Sequence, residues 1–224
     1  MKRLNIVTGH YGSGKTEFAL NLAKLGKKCY NESVIADLDI VNPYFRTNDA
    51  ADFLKRNEIE LIASHYASTN VDVPALPPEV YSVFDQKNRF AVLDVGGDED
   101  GAAVLGRFSQ KIESEDYDMF FVINTFRPLT RSVKDILEIK KEIEGSSRLK
   151  ITGLVNNSNL GYLSSANDIL SGQAVIEEVS EITKLPILYI TGKQDILDRL
   201  PNNLNYPKLG LELNMNLPFE TKGE

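Results

Sequence analysis

Gly9-His10-Tyr11-Gly12-Ser13-Gly14-Lys15-Thr16 follows directly on the apolar run Leu4–Thr8 and leads directly into a helical pattern. No other stretch restricts the fold so strongly. The spacing G-x-x-x-x-G-K-[ST] makes structural sense as a turn between a buried strand and the first turn of a helix. Glycines there let successive backbone N–H groups converge on one point, where the helix N-terminus adds partial positive charge. Lys15 brings a fixed cation to that point, and the Thr16 hydroxyl is suited to bind Mg²⁺. A triphosphate is the ligand such a cradle fits. The expected nucleotide-binding segment is therefore Gly9 to Thr16, with Glu17 just inside the helix.

The rest of the chain keeps the alternation this turn demands. Lys15–Leu25 places Phe18, Ala19, Leu22 and Ala23 on one helical face, with Gly26 as its stop. Short apolar runs at Val34–Asp37, Glu60–Ala63, Arg89–Val95, Asp118–Asn124, Ile151–Val155 and Ile187–Ile190 read as strands. Helices are predicted over Ser132–Glu144, ending before Gly145, and over Gly172–Thr183, with Val175, Ile176, Val179 and Ile182 inward. Strands alternating with helices imply parallel pairing and right-handed crossovers. The expectation is one α/β domain over residues 1–224, a three-layer P-loop NTPase fold. Its central sheet is predominantly parallel, with helices on both faces. Ser64–Pro78 reads as a loop. The segment 201–224 reads as an irregular or strand-forming tail, because Leu209, Leu211, Leu213, Met215 and Leu217 alternate with period two.

A metal-organising carboxylate belongs on a second strand. Phe90-Ala91-Val92-Leu93-Asp94 ends an apolar run in Asp and continues as D-x-x-G through Gly97. Asp94 is expected to hold Mg²⁺ through water, and the Gly97 amide to sense the terminal phosphate. Asp37-Leu38-Asp39 follows another strand, with Asn42-Pro43-Tyr44-Phe45-Arg46 close behind.

The order P-loop, D-x-D, then Walker B with a following glycine resembles that of the MinD/ParA-type ATPases, the class that includes CobB/CobQ-like ligases and dethiobiotin synthetase. The resemblance implies that Asp39 orients the attacking water and lies near the metal, with Asp37 supporting it. Lys15 and Asp39 are then the catalytic residues, Thr16, Asp39 and Asp94 the metal site, and ATP with Mg²⁺ the cofactors. Asn156 is similar to that family's adenine-contacting asparagine. Asn159 stands where many GTPases carry the guanine-reading Asp and cannot copy its two acceptor oxygens, which favours ATP. One departure stands out. The family carries a second lysine after the first P-loop glycine, where this chain has His10, and Tyr11 replaces a usual glycine. A largely neutral imidazole is no permanent cation, so a monomer is expected in preference to an ATP-dependent homodimer. Arg127, after Asn124-Thr125-Phe126, is a further candidate at a strand's carboxyl end.

Composition narrows the partners. Lys and Arg total 25 against 32 Asp and Glu, a net charge of −7. The tail holds prolines and no basic cluster, so neither nucleic acid nor membrane is an expected partner. One cysteine, Cys29, and two histidines exclude an intrachain disulfide and a histidine-rich metal site. No run approaches the ~20 apolar residues of a membrane span, and the reading is cytoplasmic. The function expected is a slow ATPase acting as a nucleotide-dependent switch with a protein partner. The alternatives are an ATP-dependent ligase or kinase activating a small carboxylate, or a nucleotide-binding protein without turnover.

Overall fold

The fold is seen in a computed structural model that describes residues 1–39, 51–63, 78–97 and 99–214. The Asn42–Arg46 turn, residues 64–77 of the proline-rich loop and the tail from 215 lie outside the described residues. In chain order the elements are β1 (Leu4–Thr8), α1 (Lys15–Gly26), β2 (Ser33–Asp37), α2 (Ala51–Arg56) and β3 (Ile59–Ile62). Then come α3 (Ser82–Asp85), β4 (Phe90–Asp94), α4 (Glu99–Gly106), α5 (Ser109–Glu113), β5 (Tyr117–Ile123) and α6 (Val133–Ser147). The last are β6 (Gly153–Asn156), α7 (Ala166–Thr183), β7 (Ile187–Gly192), α8 (Gln194–Leu197) and β8 (Lys208–Gly210).

Among the described residues the strands form one sheet in the order β3-β2-β4-β1-β5-β6-β7-β8, and each pairing is parallel. Strands β1, β2 and β4 are buried along their whole length. Helices cover both faces, so these strands read as unbroken apolar runs rather than as alternating ones. Side chains still alternate between two core layers. Leu4, Ile6, Ala91, Leu93, Phe121 and Ile123 face the layer closed by Leu105, Ile136, Ile176 and Val179. Val7, Phe90, Val92, Phe120 and Val122 face the layer closed by Phe18, Leu22 and Phe53. The expected three-layer architecture is the observed one.

Helix ends depart from the sequence reading, in part through local caps and in part through tertiary packing. Helix α7 begins at Ala166, well before Gly172, because Ser165 and Asp168 form a capping box. The same device, Ser132 with Asp135, starts α6; such a cap is worth about 1 kcal/mol. Gly145 lies inside α6, which runs to Ser147 and ends at Arg148 in the left-handed region. Gly26 closes α1 from within, against the Phe90 ring, and Gly172 sits inside α7 against Ser158. Ile182, expected inward, is 55% exposed. Among its described residues the tail contributes the three-residue β8, on the β7 edge. It then runs along α1. Asn21 Nδ2 donates to the Glu212 carbonyl and the Glu212 N–H to Asn21 Oδ1, both at 3.0 Å. The Asn214 N–H donates to Glu17 Oε1 at 2.8 Å.

Candidate functional site

The sheet order reverses at β1, which has β4 on one side and β5 on the other although β2 follows it in the chain. Loops at the carboxyl ends part there and leave a crevice, the usual ligand site of such sheets. Gly9–Gly14 leaves β1 into that crevice. Gly14, at φ 86°, caps α1 from the left-handed region. A Cβ there would collide with Asn157 Nδ2, so glycine is required both by its φ and by the close approach. The loop is wound on itself. The Ser13 N–H donates to the His10 carbonyl at 3.1 Å, and Lys15 Nζ donates to the same carbonyl at 3.2 Å. Lys15 is only 7% exposed, so its ammonium is held inside the loop. His10 keeps Nδ1 3.1 Å from the Tyr11 carbonyl, and the Tyr11 ring is half exposed.

On the β4 side the acidic residues gather. The register pairs Asp37 with Asp94 across β2 and β4, and Val7 with Asp94 across β1 and β4. Asp94 is buried, and among the described residues its Oδ1 has no hydrogen-bond partner. Burial pushes its carboxyl up from an ordinary 3.8 to about 7, and the Asp37 carboxylate adds to the rise. A hydrogen bond from Thr16 and the Lys15 ammonium oppose it, while Asp39 raises it further. The Asp39 N–H donates to Asp37 Oδ1 at 3.0 Å, a turn that brings the Asp39 carboxylate beside Gly96. Gly97 lies closer still to the loop. A Cβ on it would stand 2.7 Å from Lys15 Nζ and 2.6 Å from the Tyr11 nitrogen. Lys15, Thr16, Asp37, Asp39, Asp94 and Gly97 thus form one cluster, from three separate strand ends.

A buried carboxylate with an orphaned oxygen, bonded to a helix-terminal hydroxyl, fits a divalent cation. Among the described residues no three Asp, Glu, His or Cys side chains converge at metal-binding distance. The expected set of Thr16, Asp39 and Asp94 has two carboxylates, and a cation there would complete its shell with phosphate oxygens, as Mg²⁺ commonly does.

On the β5 side the residues are neutral or basic. Asn157 Nδ2 donates to the Ser13 carbonyl at 2.7 Å. Thr191 Oγ1 lies 2.7 Å from Asn157 Oδ1 and 3.0 Å from the Asn156 carbonyl. The ends of β6 and β7 are thus tied to the loop. Asn156 itself has no exposed surface. Its Nδ2 donates to the Ile169 carbonyl and Gln173 Oε1, at 3.1 and 3.0 Å, and its Oδ1 accepts from the Ser158 N–H at 3.0 Å. Asn159 is engaged likewise, donating to the Asn157 carbonyl at 2.7 Å and accepting from the Gly161 N–H at 3.1 Å. Arg127, exposed, donates from Nε to the Gly12 carbonyl at 2.9 Å. Asn157 and Thr191 were not legible as loop anchors. The available signal was a polar residue ending an apolar strand, which Thr191 after Ile187–Ile190 supplies. Arg46 lies outside the described residues.

Neither a protein-family model nor a curated protein sequence matches this chain. Its fold does match solved structures. Cell division protein FtsY from Thermotoga maritima aligns with a TM-score of 0.58 at 17% identity over 84% of this chain and 61% of that one. The signal recognition particle receptor FtsY from Elizabethkingia anophelis, in complex with GDP, aligns at 0.53 and 17% identity over 90% and 61%. A nucleotide-binding protein from Archaeoglobus fulgidus, in complex with ADP, aligns at 0.52 and 15% identity over 88% and 84%. The chain spans about 61% of the length of those two FtsY proteins. With its all-parallel sheet, its glycine loop between β1 and α1 and its acidic strand ends, the chain has the fold of the P-loop nucleotide-binding proteins.

Proposed function

We propose that this chain binds MgATP across Gly9–Thr16 and hydrolyses it slowly, as a MinD/ParA-like switch whose nucleotide state a protein partner reads. The observation that carries the reading is the approach of Gly97 to Lys15 Nζ and the Tyr11 nitrogen. The D-x-x-G segment and the one buried lysine of the loop meet where a terminal phosphate would lie. Departure of that phosphate would free Gly97 and the segment leading into α4, an ordered-to-released change of the kind switches use.

In this reading Lys15 moves from the His10 carbonyl to the β- and γ-phosphates, and Thr16, Asp39 and Asp94 would hold Mg²⁺, which would neutralise developing phosphate charge. Asp39 orients water at the terminal phosphate. The similar folds hold both ADP and GDP, so the fold alone does not choose the base. ATP is favoured because Asn159, at the position of a guanine-reading Asp, has both amide atoms engaged within the protein. Asn156 shapes the β6 loop beneath the base. A net charge of −7 accords with a partner that is neither nucleic acid nor anionic membrane, and a protein working as a monomer in the cytoplasm completes the proposal.

Calorimetry with MgATP and single-turnover hydrolysis test it. Lys15→Ala should lose most of the affinity. Asp39→Ala should keep affinity but lose most turnover, because water positioning acts in the transition state. Equal binding by Lys15→Ala would refute the site. Turnover by the parent chain only when a small carboxylate is added would replace the switch with a ligase.

A further inference from the structure

Phosphates and nucleoside need different partners, and the crevice separates them. Lys15, Asp94 and Gly97 collect toward β4, whereas Arg127 follows β5 on the opposite flank of β1. A nucleotide with its terminal phosphate toward Gly97 therefore extends its sugar and base toward Arg127.

Arg127 is not an ordinary solvated arginine. Its N–H donates to the Asn124 carbonyl at 3.0 Å, and its own carbonyl accepts from the Thr130 N–H at 3.1 Å. Asn124 is fastened in turn to Asn159, through Nδ2 to the Asn159 carbonyl at 3.1 Å. The side chain lies along the P-loop. A Cβ on Gly12 would stand 3.2 Å from Nε, 3.4 Å from Cζ and 3.6 Å from Cδ. Nε donates to the Gly12 carbonyl, which holds the guanidinium against the loop. Among the described residues neither terminal nitrogen makes a hydrogen bond or an ion pair, and no acidic side chain pairs with it. Leu129 and Leu160, on the same two loops, are 54% and 44% exposed. An exposed planar cation suits a purine face, since a guanidinium can lie flat on an aromatic ring and a point-like ammonium cannot.

We propose that Arg127 is the nucleoside clamp of this site, its guanidinium stacking on the base of a bound purine nucleotide. The proposal rests on the nucleotide-binding reading above. It is tested by titrating MgATP, MgADP and magnesium tripolyphosphate into the parent chain, Arg127→Ala and Arg127→Lys, with a melting curve for each. Arg127→Lys keeps the charge and the apolar stem, so a folded variant remains available if Arg127→Ala does not fold. Both variants should weaken ATP and ADP about tenfold and leave tripolyphosphate within about twofold. An equal loss for tripolyphosphate would reduce Arg127 to a strap on the loop and overturn the clamp, as would full recovery by Lys or no loss at all. A parent chain that binds none of the three ligands would instead overturn the nucleotide-binding reading itself, a distinct result.

Discussion

Asp94→Asn should stabilise the metal-free, nucleotide-free protein while damaging its response to MgATP. The Asp94 carboxyl, raised from 3.8 to about 7 chiefly by burial and by Asp37, is protonated more readily in the folded chain than in the unfolded one. Between those two values the folded state holds a proton that the unfolded state has released, so stability falls as pH rises. At ~1.4 kcal/mol for every tenfold change in proton affinity, the full penalty is about 4 kcal/mol and is complete above pH 7. At pH 5 it is under ~2 kcal/mol. Asparagine carries no charge, and its amide would stand beside the Asp37 carboxylate, an acceptor. In chelator, urea unfolding should show the variant more stable by up to ~4 kcal/mol at pH 8 and by less than half of that at pH 5. Added MgATP should then stabilise the parent more than the variant, because a neutral amide cannot replace the carboxylate at the cation. A variant no more stable at pH 8, or one with the same gain at both pH values, would refute the view of Asp94 as a strained charge awaiting a cation.

Gly97→Ala places a methyl group against Lys15 Nζ and the Tyr11 nitrogen, so MgATP affinity should fall at least tenfold while MgADP affinity changes little; calorimetry decides between them. Asn157→Ala removes the bond to the Ser13 carbonyl and leaves Thr191 Oγ1 with the Asn156 carbonyl alone. A loss of about 1–3 kcal/mol in urea unfolding is expected, with weaker nucleotide binding, and an unchanged affinity would show the tie to be dispensable for the loop. Asn21→Ala removes the reciprocal bonds to Glu212. Amide exchange over residues 208–214 should accelerate with little change elsewhere, and unaltered exchange would mean that the tail is held by other contacts.

Much of the site was readable from local spacing. The G-x-x-x-x-G-K-T turn needs its glycines, lysine and threonine at fixed offsets along one short stretch, so their convergence follows from chain geometry alone. Strand β1 has the bounds its apolar run implies, and Asp94 and Gly97 follow from the same kind of local pattern. The positions of β1, β2 and β4 were legible for a related reason: a strand covered on both faces has to be largely apolar. Helix ends were less legible. Gly26 and Gly172 look like breakers, but Phe90 and Ser158 pack so closely on them that only glycine fits. The tail alternates like a strand over Leu209–Leu217, yet among its described residues only Lys208–Gly210 pairs with a sheet edge, and Asn21 and Glu17 take up the backbone at Glu212 and Asn214.

The tertiary structure alone decided which polar side chains serve the loop. Asn156 and Asn157 are neighbours of identical type, and their order in the chain carries no preference. The former is sealed between β6 and α7, and the latter turns to Ser13. Arg127 and Gly12 are 115 residues apart, and Asp37 meets Asp94 only through the register of β2 on β4. The sequence by itself determined a P-loop-type glycine turn on a parallel α/β sheet, because that turn depends on dihedral angles and spacing within a few residues. The fold decided the burial of Asp94 beside Asp37 and the anchors of the loop. Burial, and contacts across strand ends far apart in the chain, exist only once the sheet has assembled.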